Sequence, residues 1–191
     1  MLDEVLGIVF KTAYWLLVPA TLLRFHMQWV RVPFRNPVGV FICAVSDWIV
    51  LPLRRVIGSG FGLDWSSLGA AVILELGLSA LFAVVTGKFS LFQSGSMIAG
   101  WLVSGMFGLL TTVLTLMLWL TVACAMLSWI RVDSPVADAL DAIAAPWLKP
   151  LRRRMPMVGG FDLSPLALFV LLQIALLVLA RGQSYVLIAL R

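Results

Sequence analysis

The sequence predicts an all-α membrane protein with four transmembrane helices in two parallel repeats, each repeat carrying a cytoplasmic amphipathic or re-entrant segment. Three observations predict this fold: the apolar composition, four long apolar stretches and an internal repeat. Hydrophobic residues make up 62% of the 191 residues and charged residues 12%, whereas a soluble domain carries about 25% charged residues. A soluble protein of this size could not cover its surface with so few polar side chains. The composition therefore excludes an ordinary soluble domain.

Four stretches are long enough to cross a bilayer, which takes about 20 mostly apolar residues. They run over residues 2–23, 67–85, 97–130 and 165–180. The third holds 34 residues without a charge, more than one crossing needs, and it contains Gly100, Gly105 and Gly108. We expect these glycines to break it into a short interfacial or re-entrant piece over 97–106 and a helix over 107–129. One long helix is the alternative.

The basic residues are concentrated in two stretches and predict the orientation of the helices. Residues 24–65 and 131–162 together hold ten of the 14 Lys and Arg residues. Basic loops remain on the cytoplasmic side, so both stretches are predicted to be cytoplasmic and both termini periplasmic. The same rule accounts for the net charge of +5, and no direct nucleic-acid binding is expected.

The internal repeat appears when the sequence is shifted by 98 residues. The motif Pro52-Leu53-Arg54-Arg55 then falls on Pro150-Leu151-Arg152-Arg153. The other coincident pairs are Pro37 with Pro135, Gly62 with Gly160, Asp64 with Asp162, Ser66 with Ser164 and Leu68 with Leu166. Upstream, Trp29-Val-Arg-Val matches Trp129-Ile-Arg-Val after a two-residue deletion. Both copies have the same orientation, so the repeat is parallel.

The repeat divides the chain into two units with a connection between them. The first repeat is expected over 1–87, the external turn and interfacial segment over 88–106, and the second repeat over 107–191. Each repeat holds a segment between its two transmembrane helices, at 37–53 and 135–151. Asn36-Pro37 and Ser134-Pro135 are typical of a helix start, with an N-cap followed by proline.

The two segments differ in polarity. Apolar residues of the second recur at helical spacing, and we expect a helix of about 11 residues before Pro146 that lies on the inner leaflet. The first is more apolar and could enter the bilayer as a re-entrant element.

This arrangement of motifs resembles the YggT family of bacterial inner-membrane proteins, which is related to the YlmG proteins of Gram-positive bacteria and plastids. The resemblance rests on a motif present twice: Asn/Ser-Pro, an amphipathic stretch, Pro-x-Arg-Arg, then Gly-x-Asp-x-Ser before a transmembrane helix. The structural motif residues are Asn36, Pro37, Pro52, Asp64 and Ser66 in the first copy and Pro135, Pro150, Asp162 and Ser164 in the second. Two departures, Ser134 where the family often has asparagine and Gly58 where a proline usually follows, affect local turns.

The resemblance implies a location in the bacterial inner membrane and no enzymatic activity. Family members have been connected with osmotic tolerance and ion uptake, with the division septum or nucleoid, and with assembly of membrane cofactor complexes. We therefore expect a non-catalytic scaffold or assembly factor that binds membrane lipids and a membrane or membrane-associated protein; a homo-oligomer is also allowed. The alternative is a small ion-handling or osmotic-tolerance protein.

The arginines after the repeated prolines are the candidate lipid- and partner-binding residues: Arg54, Arg55, Arg152, Arg153 and Arg154. Each basic side chain near an anionic leaflet contributes about 1 kcal/mol. A simpler interpretation is that they only set topology. Asp64 and Asp162 are expected to cap the following helices, and each could also pair with the arginine ten residues upstream.

Glu75 is predicted near the middle of the second transmembrane helix, and Gln173 is its repeat equivalent. An acid in the bilayer is costly and suggests a proton or cation site, whereas an interhelical hydrogen bond is the structural alternative. In either case we expect the second and fourth transmembrane helices to face each other.

The remaining chemistry is sparse. One histidine, His26, and two distant cysteines, Cys43 and Cys124, give no metal-ligand spacing and no expected disulfide. No nucleophile–base set or phosphate-binding loop is present in the sequence, so neither a cofactor nor a metal is expected.

Overall fold

Six α-helices make up the described parts of the chain. The computed structural model describes residues 2–57, 63–87, 95–130, 134–155 and 162–189. The helices are α1 (Leu2–Val30), α2 (Pro37–Ile57), α3 (Trp65–Val85), α4 (Gly95–Ile130), α5 (Pro135–Arg152) and α6 (Ser164–Ala189). Four of them, α1, α3, α4 and α6, are long and apolar enough to cross a membrane. The predicted fold class is confirmed.

Each repeat is built on an antiparallel pair of long helices. In the first repeat, Phe10 of α1 meets Phe82 of α3, and Val18 packs with Ala71 and Leu74. In the second repeat, α4 pairs with α6, and the buried residues of this pair extend to α5 (Leu118, Cys124, Ala144, Leu148, Leu168 and Leu172). The short helices α2 and α5 each pack against both long helices of their own repeat. The two short helices therefore occupy equivalent positions in the two repeats.

The two repeats join through α1, α2, α4 and α5. The buried residues at this junction include Met27, Ile42, Leu120 and Ile143. Among the described residues, α3 also contacts α4, but α6 contacts only α4 and α5. The expectation that the second and fourth transmembrane helices, α3 and α6, face each other is therefore wrong. A parallel repeat fixes equivalent positions but does not determine which equivalent faces meet.

The third transmembrane helix is continuous. The predicted break over 97–106 is wrong, because α4 runs without interruption from Gly95 to Ile130. Backbone groups in hydrocarbon have no water to bind, which favours an unbroken helix. Gly105 and Gly108 instead allow close packing, since a Cβ at either position would overlap a side chain of α3, Leu76 or Glu75. The alternative of one long helix is correct.

The other helix ends also extend beyond the predicted ones. The first helix continues past Leu23 to Val30, and its 29 residues span about 43 Å at the helical rise. At its end, Arg31 adopts a left-handed conformation with φ of 60°, and the Val32 N–H donates to the Met27 carbonyl. This six-residue bond is typical of a Schellman motif. The fourth transmembrane helix likewise continues past Ala180 to Ala189.

The short helices pass through their prolines. The expected end of the second segment before Pro146 is wrong, because α5 continues through Pro146 and Pro150 to Arg152. The first segment likewise continues through Pro52 to Ile57. Pro146, Pro150 and Pro52 are all exposed, so their rings lie away from the packed faces of the short helices. The repeat landmarks Gly62 and Gly160, and the departure at Gly58, lie outside the described residues.

Candidate functional site

The most polar part of the described chain lies at one end of the bundle, where α2 and α5 join the long helices. Two groups of charged side chains are found there, one in each repeat. The first ion-pair cluster consists of Arg24, Asp47, Arg54 and Asp64, and the second of Asp141, Arg152 and Asp162.

Both clusters are built on an aspartate that caps a transmembrane helix. Asp64 accepts hydrogen bonds from the Ser67 backbone N–H at 3.4 Å and from the Ser67 hydroxyl at 2.7 Å. Asp162 accepts from the Ser164 backbone N–H at 2.9 Å. Carboxylates at these positions satisfy free N–H groups and suit the helix dipole. The expected capping role is present in both repeats.

The same aspartates bind the arginine ten residues upstream. The distance from Arg54 Nη2 to Asp64 Oδ2 is 2.5 Å, and that from Arg152 Nε to Asp162 Oδ2 is 2.7 Å. Each bond joins the end of a short helix to the start of the following long one. The repeated Asp–Arg pair therefore fixes α2 against α3 and α5 against α6, in the same way in both copies.

The first cluster contains a second arginine, Arg24, which the sequence predicts only as one of the charges that set the topology. Arg24 projects from α1, and its side chain is 6% exposed. Its Nη1 lies 2.6 Å from Asp47 Oδ1 and 2.9 Å from the Ser46 hydroxyl, and its Nε lies 3.9 Å from Asp64 Oδ2. The sequence gives one indication that Arg24 is special to the first repeat. In the register of the Trp29 and Trp129 motifs, Arg24 aligns with Cys124, so the second repeat has no equivalent arginine.

The second cluster is more open and has one positive charge fewer. Arg152 Nη1 lies 3.0 Å from Asp141 Oδ1, whose side chain is 51% exposed. Asp162 is 16% exposed, against 1% for Asp64. Partial burial opposes ionisation of Asp162, but hydrogen bonds from Ser164 and Arg152 outweigh it and hold the pKa of the carboxyl below its usual value. The pair with Arg152 is therefore ionised at neutral pH.

The five arginines predicted to bind lipid or a partner fall into two groups. Arg54 and Arg152 are engaged with the capping aspartates and are 39% and 33% exposed. The other three, Arg55, Arg153 and Arg154, are exposed and form no ion pair within the described ranges. Only the second group has its full hydrogen-bonding capacity available.

The remaining motif residues shape the local backbone. Asn36 Oδ1 accepts from the Gly39 N–H at 2.8 Å, and the Ser134 hydroxyl accepts from the Ala137 N–H at 3.1 Å. Pro37 and Pro135 follow as the first residues of α2 and α5. The hydroxyls of Ser66 and Ser164 are buried, without a hydrogen-bond partner in the described chain.

A separate polar group lies within the long helices. Glu75 is 7% exposed and lies against Gly105 and Gly108 of α4. Nearby, the Tyr14 hydroxyl of α1 is 2.8 Å from the Thr112 hydroxyl of α4. One carboxyl oxygen, Oε2, has no partner among the described residues.

The residue expected to face Glu75 lies elsewhere. Gln173 is exposed on α6, a helix that does not contact α3 in the described chain. The repeat equivalence of the two positions therefore does not bring them together.

His26 joins the two repeats, a role that its lone occurrence did not indicate. Its Nε2 donates to the Ile143 carbonyl of α5 at 2.9 Å, and its ring lies 4.7 Å from that of Trp147. Within the described residues, no group of three or more His, Cys, Asp or Glu side chains could hold a metal ion.

The amino-acid sequence matches a known protein family. The family model described as CCB3/YggT matches residues 2–85 and 103–183, one segment in each half of the chain. The chain belongs to the CCB3/YggT family. It is similar to the uncharacterized protein YggT of Escherichia coli (strain K12), with 38% identity over 154 residues that cover 80% of this chain and 77% of the relative.

The chain is also similar to a protein of Vibrio alginolyticus that is named as an uncharacterized protein in the proC 3′ region. It is 32% identical over 171 residues, which cover 89% of this chain and 90% of that protein. Neither name describes a reaction. No solved structure matches the chain.

Proposed function

We propose that this protein is a non-catalytic membrane scaffold that binds anionic lipid through α2 and a protein partner through α5. The observation that carries this proposal is the difference between the outward faces of these two helices. At equivalent positions, α2 exposes Val40, Trp48 and Leu51, whereas α5 exposes Asp138, Pro146 and Lys149.

The outward face of α2 suits a lipid interface. Trp48 is 58% and Leu51 46% exposed, and no other described element covers them. Exposed aromatic and aliphatic residues followed by an arginine, Arg55, are typical of helices that lie in the interfacial plane. We expect the apolar residues to enter the acyl boundary while Arg55 reaches the phosphate groups.

The outward face of α5 suits water and a protein. Asp138, Lys149 and Arg153 are exposed along it, and this mixture of charges would be costly in hydrocarbon. Arg154 and Arg153 extend the basic end of the helix. This arrangement favours an acidic surface on a membrane or membrane-associated partner.

Lipid binding can be tested with variants that leave the repeated Asp–Arg pairs intact. We expect Arg55→Gln to reduce the preference of the purified protein for phosphatidylglycerol over phosphatidylcholine about fivefold, since one basic residue contributes about 1 kcal/mol. Arg153→Gln is the matched control at the equivalent position and should change the preference less. Spin-labelled lipids in nanodiscs measure both. An unchanged preference in Arg55→Gln would contradict lipid binding through α2.

Partner binding can be tested from the same two helices. A photoreactive residue at 149 should crosslink a discrete protein in native membranes, whereas one at 51 should crosslink lipid. Loss of the protein crosslink in an Arg153→Glu, Arg154→Glu variant is expected if the partner surface is acidic. A protein crosslink that survives this charge reversal would contradict an acidic surface.

The buried carboxyl of Glu75 favours one alternative, an ion-handling protein. An acid inside the long helices with an oxygen free of partners is a feature of proton and cation pathways. If this alternative holds, Glu75→Gln abolishes proton or cation flux into proteoliposomes, measured with a pH-sensitive dye and with labelled sodium or potassium. The scaffold proposal predicts no flux from the wild-type protein and unchanged lipid preference in Glu75→Gln.

A further inference from the structure

The outward face of α6 has a polar residue in the middle of a membrane-crossing helix. Gln173 is exposed and makes no hydrogen bond within the described chain, although it lies well inside the apolar part of the helix, between Ser164 and Arg181. Its amide has both donors and an acceptor. Hydrocarbon cannot satisfy these groups, so such a side chain is stable only when another polar group reaches it.

The repeat shows that the equivalent face is a helix-packing surface. In the first repeat, Leu68, Glu75 and Leu76 of α3 face α4, and none of them is fully exposed. The equivalent residues of α6, Leu166, Gln173 and Ile174, are all exposed. The covered face holds the acidic residue, Glu75, whereas the open face holds the amide, Gln173.

The residues in line with Gln173 permit close approach of another helix. Leu177, Ala180 and Ser184 follow it at i+4, i+7 and i+11, which places them on one face of α6, and all three are exposed. The Ser184 hydroxyl is bonded to its own helix, to the Ala180 carbonyl at 3.0 Å. Small residues four apart let helix backbones approach in a membrane.

We propose that this α6 face, formed by Gln173, Leu177, Ala180 and Ser184, is the interface of a homodimer in which the two Gln173 amides bind each other. Two copies in one membrane have the same orientation, so their twofold axis is parallel to the membrane normal. A residue at this axis meets its own copy at the same depth. An amide complements itself there, as a carboxylate or an arginine would not, and this self-complementarity selects a second copy of the chain as the occupant.

Two neighbouring residues provide a matched test of the interface. Leu177 and Val178 are 60% and 64% exposed and lie at the same depth, but they point about 100° apart around the helix. In a chain in which Cys43→Ser and Cys124→Ala remove the native thiols, Leu177→Cys should give a disulfide-linked dimer in native membranes and Val178→Cys should not. Equal crosslinking from both positions, or none from Leu177→Cys, would overturn the proposal.

The role of the amide is tested by Gln173→Leu. This change should increase the dissociation constant of the dimer about tenfold, from the strength of hydrogen bonds between membrane helices. Single-molecule photobleaching of labelled protein at several protein-to-lipid ratios measures the constant, and the elution volume in detergent verifies folding. A dissociation constant unchanged in Gln173→Leu, or a wild-type protein that stays monomeric at every ratio, would also overturn the proposal.

Discussion

The two repeats hold the same Asp–Arg pair but surround it differently. In the first, a buried arginine from α1, Arg24, adds a second positive charge, and Asp64 is almost fully enclosed. In the second, Cys124 occupies the register position of Arg24, and Asp162 is partly open. The shared pair fixes each short helix against a long one. The number of neighbouring arginines and the burial of the aspartate differ between the copies, so neither is needed for this attachment.

The outward faces of the two short helices also differ between the repeats. Positions 40, 48 and 51 are apolar in α2, and the equivalent positions 138, 146 and 149 are charged or proline in α5. The inward faces of both helices are buried. Two equivalent pairs, Ser46 with Ala144 and Val50 with Leu148, are buried in both copies, while the other side of each helix is free to acquire a lipid-facing or a water-facing role.

The largest expected effect comes from making the first cluster resemble the second. Arg24→Cys should lower the free energy of unfolding by about 3 kcal/mol, because it removes a buried guanidinium and its bond to Ser46 and leaves Asp47 without its ion-pair partner, while Asp64 keeps Arg54. Adding Asp47→Ala gives both positions the residues of the second repeat, Cys124 and Ala145, and should recover at least half of the loss. Unfolding in mixed micelles measures both variants. An equal loss in the single and double variants would show that Arg24 acts through packing instead of charge.

Removing the capping charge should distinguish the two clusters further. Asp64→Asn should cost about 2 kcal/mol, since hydrogen bonds to charged groups are strong and this one is enclosed. Asp162→Asn should cost about 1 kcal/mol, because the second cluster is partly hydrated. The same unfolding measurement compares them. A larger cost for Asp162→Asn than for Asp64→Asn would contradict the explanation from burial.

A third comparison concerns the start of the short helices. A Cβ added at Gly39 would lie 2.7 Å from the Phe34 Cα and carbonyl oxygen, whereas the equivalent Ala137 is accommodated in α5. Gly39→Ala should therefore destabilise the protein by about 2 kcal/mol, and the reverse change, Ala137→Gly, by less than about 1 kcal/mol. Thermal unfolding of both variants provides the measurement, and a tolerated Gly39→Ala would contradict this close approach.

The smallest expected effect is a pH dependence of the second cluster. The pKa of Asp162 is lowered in the folded protein, so its contribution is fully present above the unfolded value of about 3.9 and is lost as the pH falls through the folded value. The stability difference between the wild type and Asp162→Asn should be constant above about pH 5 and shrink below about pH 4. A difference that grows on acidification would contradict the ionised pair.

The 98-residue register of the repeat predicted the contacts that occur in both copies. The spacing of ten residues from Arg54 to Asp64 and from Arg152 to Asp162 was enough to suggest both pairs, and the structure contains them. The helix count followed from length and hydropathy, because lipid leaves few alternatives to a helix. Local rules thus determined the helices and their caps.

The parts that could not be predicted depend on how the repeats pack together. Glu75 meets Gly108 of α4 instead of Gln173, since the junction joins one face of the first repeat to a different face of the second. Arg24 follows the first apolar stretch, where basic residues usually serve only to set the topology, and nothing local in the sequence indicates its ion pair. His26 had no pattern around it, and its bond to Ile143 spans 117 residues.

The most direct test of the central claim compares residues 51 and 149, which are equivalent in the repeat and exposed in the structure. Spin labels at Leu51→Cys and Lys149→Cys, in separate variants in nanodiscs, report whether each site contacts lipid or water. The scaffold account predicts high oxygen and low nickel-chelate accessibility at 51, and the reverse at 149. If both labels contact water, or both contact lipid, the proposal that α2 binds lipid while α5 binds a protein partner is contradicted.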